Sequence, residues 1–150
     1  MSETIRRATV VDLPALDALM RGVSAYQGDY APMLEGYAMT PDQFDRDICF
    51  LAEAAGRPLG FYSLITEGEP ELDLMFVDEA TQGTGLGARL FQHMADQARA
   101  AAIDAVKIIA NPPAEGFYRR MGAERIGTRQ PKGRVTWAQP ILYLRLSRPE

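Results

Sequence analysis

The sequence predicts one α/β domain, a mixed sheet of roughly six to seven strands flanked by about four helices. Three observations carry that expectation. The chain is 150 residues long, about one domain's worth. Short β-like runs alternate with stretches whose apolar residues recur at helical spacing. And a strand, a glycine-rich loop, an amphipathic helix and a second strand follow one another between Glu71 and Ala110, the order of two parallel neighbours joined by a right-handed crossover. The elements then read in order. Ile5–Thr9 is a short strand, and Asp12 offers an N-cap to a helix with Leu13, Leu16, Leu19 and Met20 on one face. After a loop rich in tyrosine and acid, Thr40-Pro41-Asp42-Gln43 forms a capping box with proline at the first helical position. Strands Ile48–Glu53 and Leu59–Thr66 turn about Gly56-Arg57-Pro58, and Gly68-Glu69-Pro70 breaks the chain before strand Glu71–Val77. The next helix spans about Gly85 to Ala102, with Leu86, Leu90, Met94 and Ala98 on one stripe. Ala105–Ala110 is a buried strand; Asn111-Pro112-Pro113 opens a last helix that Gly122 ends, and strands near Ala123–Gly127 and Pro140–Leu146 complete the sheet.

Composition excludes several classes. Hydrophobic residues at 47% and charged residues at 24% are those of a globular protein, not of a disordered chain, a collagen or a coiled coil. The one cysteine, Cys49, excludes an internal disulfide and reads as a core residue; the one histidine, His93, argues against a zinc site and reads as a surface residue. No stretch approaches the ~18 apolar residues of a membrane span, and no cleavable leader is evident, so a cytoplasmic protein away from membranes is expected. The net charge of −4 disfavours nucleic acid. It is unevenly spread: residues 1–110 carry 8 basic against 17 acidic side chains, a net of −9, and residues 111–150 carry 8 against 3, a net of +5. A local basic third suits either a solvated face or a small phosphorylated ligand.

The most informative segment is Gln82-Gly83-Thr84-Gly85-Leu86-Gly87-Ala88, between a strand and a helix. Three glycines in five residues clear side chains from where a helix start leaves backbone N–H groups unpaired, a natural phosphate cradle. A tight turn without a ligand is the alternative. No lysine follows the glycines, which excludes a triphosphatase loop. Gly83-x-Gly85-x-x-Ala88 matches a dinucleotide fingerprint, but five residues separate Val77 from the first glycine and only 62 remain after Ala88. The next strand also ends in Asn111 where that fold needs an acid, so the dinucleotide reading fails.

Gln82-x-x-Gly85-x-Gly87, after a strand ending in Val77, resembles the pyrophosphate motif Q/R-x-x-G-x-G/A of the GNAT superfamily of acyl-CoA-dependent N-acyltransferases. Downstream, a strand ending in Asn111 and the run Phe117-Tyr118-Arg119-Arg120-Met121-Gly122-Ala123 are similar to the FYxxxG(F/A) segment of many members. The match covers about Glu71 to Gly127. It implies central parallel strands that splay apart around acetyl-CoA, with pantetheine along the backbone of Met75, Phe76 and Val77. It places pyrophosphate on the amides of Gly83, Thr84, Gly85, Leu86, Gly87 and Ala88, next to Gln82, and Asn111 on the cofactor arm.

The resemblance also implies chemistry: N-acetyl transfer to a primary amine by direct attack on the thioester. A tyrosine at the place of Tyr118 serves the family as general acid; a phenol of pKa ~10 can return a proton to a departing thiolate of pKa ~8.5. Glu71 stands where some histone-modifying members carry a catalytic glutamate. Asp73, two residues on, faces the same way by strand alternation, and burial would raise a carboxylate towards a useful range. A solvent-facing pair is the bland alternative. N-terminal acetyltransferases of the family often carry glutamate where this chain has Val106, which disfavours a protein N-terminus as acceptor. The loops 24–40 and 128–139 are expected to form the acceptor site. Tyr26, Asp29, Tyr30, Glu35 and Tyr37 suit a cationic amine, and Arg129, Lys132, Arg134 and Trp137 suit an anionic group. Together they point to a small, amino-acid-like amine. A non-catalytic acyl-CoA sensor, acetylation of a protein or peptide amine, and a plain interaction module are the competing readings. Dimers are common in the family, so a homodimer stays open.

Overall fold

The computed structural model describes residues 3–23, 28–34 and 37–146. Its sheet has seven strands in the order β1-β2-β3-β4-β5-β7-β6: β1 Thr4–Arg7, β2 Ile48–Ala54, β3 Arg57–Ile65, β4 Glu71–Val77, β5 Ala105–Ile109, β6 Glu124–Arg129 and β7 Gln139–Arg145. Its helices are α1 Leu13–Gly22, α2 Pro41–Arg46, α3 Leu86–Ala100 and α4 Glu115–Arg120. The mixed α/β sheet expected from the sequence is the sheet observed, with one parallel pair, β4 and β5, on either side of α3. Among the described residues no helix is long and apolar enough to cross a membrane.

Two apolar cores lie on the two faces. On one, Leu86, Leu90, Met94 and Ala98 of α3, all fully buried, pack on Tyr62, Leu64, Val106 and Leu142. On the other, Leu16 and Met20 of α1 and Phe44 of α2 meet Leu51, Phe61, Leu74 and Phe76. The apolar faces of α1, α2 and α3 are thus spent on the sheet, the main source of stability for short helices. The α2 cap forms as expected, Gln43 accepting the Thr40 N–H at 2.6 Å. Asp12 differs from expectation: it sits before α1, but its carboxylate turns back to the Thr9 N–H at 2.8 Å and pairs with Arg6 at 2.8 Å. That guanidinium offers more than the helix end does, and it also holds Glu53.

His93 is another departure. Rather than standing on the surface, it is half-buried, and its Nδ1 lies 2.7 Å from the hydroxyl of the fully buried Tyr62, with Phe50 against its ring. Burial lowers the imidazole pKa and raises that of the phenol, so the neutral pair is the stable one. Cys49 is buried as expected, and burial pushes its thiol up to about 12. Gly60 marks where β3, β4 and α3 close up: a Cβ there would stand 2.9 Å from both Leu90 Cδ1 and the Phe76 carbonyl oxygen. Gly60→Ala should therefore cost about 2 kcal/mol through overpacking, a loss of roughly 4–8 °C in Tm. A melting curve unchanged by this substitution would show that the layers have slack.

Candidate active site

Sheet pairing between β4 and β5 consists of one rung, Glu71 with Lys107, reinforced by the Lys107 N–H on the Pro70 carbonyl at 2.9 Å. Beyond it the strands diverge. β5 follows β7, with which it pairs from Ala105 to Ile109, while β4 follows β3 as far as Val77. Into the gap opens a cavity of about 640 Å³. Its floor is Met75, Phe76 and Val77; one wall is the glycine loop and the start of α3, the other is Asn111 and α4 with Phe117, Tyr118 and Arg120.

The loop is held open by its own chemistry. Asp78 caps the turn Glu79–Thr81 by accepting the Ala80 N–H at 2.9 Å, and Arg57 anchors it at 3.1 Å. Gly83 and Gly85 take left-handed backbone angles, φ +85° and +84°, and Gly85 is the N-cap of α3. A side chain there would be strained and would meet Arg89 at 3.1 Å. The first intrahelical bond runs from the Arg89 N–H to the Gly85 carbonyl, so the amides of Leu86, Gly87 and Ala88 have no partner within the helix. With the positive end of the helix dipole added to these amides, this wall suits an anion. Gln82, Gly83, Gly85, Leu86, Gly87 and Ala88 all line the cavity. Thr84 does not: its amide and its hydroxyl both turn inward to the Thr81 carbonyl.

A second, smaller cavity of about 110 Å³ adjoins the first between β4 and the end of β5. Met33, Leu34, Leu72, Leu74 and Ile109 give it an apolar part, and Tyr37, Asp73, Asn111 and Tyr118 supply its polar groups. The two cavities meet: Met75, Phe76, Asn111, Ala114 and Tyr118 line both. Tyr118 is half-buried at this seam, its ring against Phe91 and Phe117.

Asp73 reaches the small cavity through a feature that alternation does not predict. Ser63 pairs with Leu74 and Leu64 with Leu72, so Asp73 is an extra residue, a β-bulge. The bulge flips the parity of the strand: Leu72 faces one core and Leu74 the other. Burial, then the charges of Glu71 and Asp47, raise the Asp73 carboxyl to about 6, against a smaller pull from Arg46. Glu71 lines neither cavity; it stands at the last closed rung and acts on Asp73 only through its charge.

Asn111 precedes the turn Pro112–Ala114, yet its side chain does not cap it. Its Oδ1 accepts from Trp137 Nε1 at 3.1 Å and from Gln139 Nε2 at 3.0 Å, and Nδ2 points to Met33 Sδ at 3.1 Å. Trp137 in turn meets the Tyr30 ring edge-on, centroids 5.0 Å apart. The loops 28–34 and 130–139 are thereby joined over Asn111. Tyr37 lines the small cavity, whereas the exposed Arg129, Lys132 and Arg134 line neither. Tyr26 and Glu35 fall outside the described residues, and of Asp29 only the backbone is described.

The family model described as an acetyltransferase (GNAT) domain matches residues 33–139. The fold is similar to that of the ribosomal-protein-S18-alanine N-acetyltransferase from Escherichia coli, at 20% identity and a TM-score of 0.74 over 99% of this chain and 97% of that one. It is similar to PaiA N-acetyltransferase from Thermoplasma acidophilum, solved in complex with coenzyme A, at 18% identity and a TM-score of 0.77 over 97% and 99% of the two chains. N-acetylglutamate synthase from Neisseria gonorrhoeae, complexed with coenzyme A and L-arginine, is 22% identical with a TM-score of 0.75; the match covers 97% of this chain and 34% of that one. No curated protein sequence matches the chain.

Proposed function

Because this chain belongs to the GNAT family and its domain is that of an acetyltransferase, we propose that it transfers acetyl from acetyl-CoA to the primary amine of a small molecule. The observation that carries this is the meeting of two unlike cavities at Tyr118 and Asn111. The larger one, with first-turn amides on one wall, Arg120 on the facing wall and a strand floor between, fits a long ligand with a diphosphate and an amide-bearing arm. The smaller one fits an amine on a slender apolar stem, with Asp73 as its counter-charge.

When bound, acetyl-CoA supplies a thioester carbonyl open to an amine and a thiolate that leaves. The chain supplies the rest. The cavities hold the two reactants on one line, which is where most of the acceleration of such a reaction arises. Asp73, directly or through a water, takes the proton that the amine loses as its nitrogen bonds to the acetyl carbon. Backbone N–H groups of β4 at Met75 and Val77, which alternate with those bonded to β3, steady the oxygen as charge gathers on it. As the carbon–sulfur bond breaks, the Tyr118 hydroxyl gives its proton to the sulfur and recovers one from solvent. Glu71 tunes Asp73.

An amino-acid-like acceptor requires a cation near its carboxylate. Among the described residues no Lys or Arg lines the smaller cavity, so the acceptor's carboxylate would have to reach the loop cations Arg129, Lys132 or Arg134 outside it.

Melting the protein with acetyl-CoA, and with NAD as control, tests the reading. At a hundredfold excess over Kd the ligand adds ~2.7 kcal/mol, a rise of roughly 5–10 °C. A rise with acetyl-CoA alone is expected; no rise removes every role given above. A screen of amines follows. Saturation by short primary amines is expected, with amino-acid-like amines among them, and turnover confined to peptides or polycations would overturn the small-acceptor reading.

A further inference from the structure

We propose that Trp137 is a positioning residue: its indole N–H fixes which way the Asn111 carboxamide faces, and so makes the seam between the two cavities a hydrogen-bond donor. An asparagine amide can present oxygen or nitrogen to a given neighbour, and the choice is set by the partners around it. Gln139 does not set it, because its own carboxamide can turn over and accept instead of donate. Trp137 does. An indole nitrogen only donates, so the atom 3.1 Å from it has to be Asn111 Oδ1. The Gln139 amide then follows, donating to the same oxygen at 3.0 Å. The indole is held in turn by the Tyr30 ring set edge-on against it.

The consequence lies on the other side of the amide. With its oxygen doubly occupied by Trp137 and Gln139, Asn111 aims Nδ2 the other way, to the cavity side, where its protein partner is the thioether of Met33 at 3.1 Å. A thioether is a weak acceptor, and Asn111 is only 6% exposed, so its N–H groups gain little from water. The seam therefore holds a buried, under-rewarded donor, which favours a carbonyl oxygen. On the reading given under Proposed function, on which this step rests, that oxygen belongs to the amide-bearing arm of acetyl-CoA. Removing the indole N–H lets both carboxamides turn together, after which an oxygen would meet that carbonyl and repel it.

Four variants (W137F, W137F/Q139E, N111A and N111A/W137F) and two readouts, steady-state kinetics and an Overhauser contact, test this. Trp137→Phe keeps a ring against Tyr30 and deletes only the donor; adding Gln139→Glu puts an acceptor where a donor stood and drives the Asn111 amide over. Asn111→Ala removes the amide. The KM for acetyl-CoA should rise about threefold in W137F and about tenfold in W137F/Q139E, the size of a lost hydrogen bond and then of a reversed one. In each, kcat should stay within about twofold, because the contact is equal in ground and transition states. N111A should raise KM about fivefold and abolish any further effect of W137F, since the two act through one group. Independently of any ligand, the nuclear Overhauser effect from the Asn111 amide protons to the Met33 methyl should be strong in the wild type and lost in W137F/Q139E. If that effect persists in the double variant, Trp137 does not set the amide. If the effect is lost but KM stays at the wild-type value, the donor at the seam plays no part in binding. Either result overturns the proposal. A wild type that fails to bind acetyl-CoA overturns the site reading instead, and the Overhauser effect still decides the orientation.

Discussion

Replacing Tyr118 with phenylalanine should lower kcat about a hundredfold, the lower end of what general acid–base catalysis contributes, while the Kd for acetyl-CoA stays within about twofold. The ring is retained, so its packing against Phe91 and Phe117 survives and the melting temperature should hardly move. What is lost is the proton that the departing sulfur needs, at the point where the two cavities meet. A group that acts only as the carbon–sulfur bond breaks affects kcat and kcat/KM alike and leaves ground-state binding alone. Turnover and isothermal titration on the same preparation separate these terms. Wild-type turnover in Y118F would remove the tyrosine from the proton path.

Asp73→Asn should be the second large loss, about a hundredfold in kcat/KM above pH 7, and it should do two further things. A base that titrates at about 6 produces an acid limb: activity rises with pH through that value as the carboxylate forms, and the limb should vanish in D73N. Stability should move the opposite way from activity. The folded carboxyl holds its proton up to about pH 6, whereas the unfolded one releases it near 3.8. The folded state is therefore penalised progressively between those values and in full above pH 6. Asparagine removes the penalty, which for this half-exposed group is worth roughly 1–2 kcal/mol after solvent screening. D73N should thus melt a few degrees higher than the wild type at neutral pH, as expected where a charge is buried for chemistry at the expense of the fold. A pH profile that keeps its limb near 6 in D73N would assign the base elsewhere.

Much of this site is legible in the sequence because local rules write it. Positive backbone angles leave glycine as the ordinary choice at Gly83 and Gly85. The apolar stripe of α3 repeats every turn, and Gly122 ends the last helix with φ +101°. What escapes a sequence reading depends on pairing between distant segments. The bulge at Asp73 exists only in the register of β4 against β3, so alternation placed Asp73 with Glu71 while the fold turns only Asp73 into the cavity. Asn111 looks like a cap because prolines follow it; its actual partners are 26 and 28 residues away. His93 is polar at an intermediate position of a helix, and nothing nearby in the chain announces Tyr62, 31 residues before it. Arg129, Lys132 and Arg134 are offered by the loop that the resemblance implies and by their charge, and neither says which way a hairpin's side chains face.

The single rung between β4 and β5 also bears on cohesion. Hydrogen bonding divides the sheet into two ladders, β1 to β4 and β5 with β7 and β6, stitched by one pair and one loop contact. The helix that crosses between them packs chiefly on the first ladder, against β2, β3 and β4. Each ladder is then a candidate cooperative unit that can open at a cost below that of unfolding the whole. On the function proposed above, acetyl-CoA in the cleft would take the place of the rungs that are not formed. Its affinity is spent partly on holding the halves at their working distance, so the ligand-bound protein should unfold as one body where the free protein loosens in two steps.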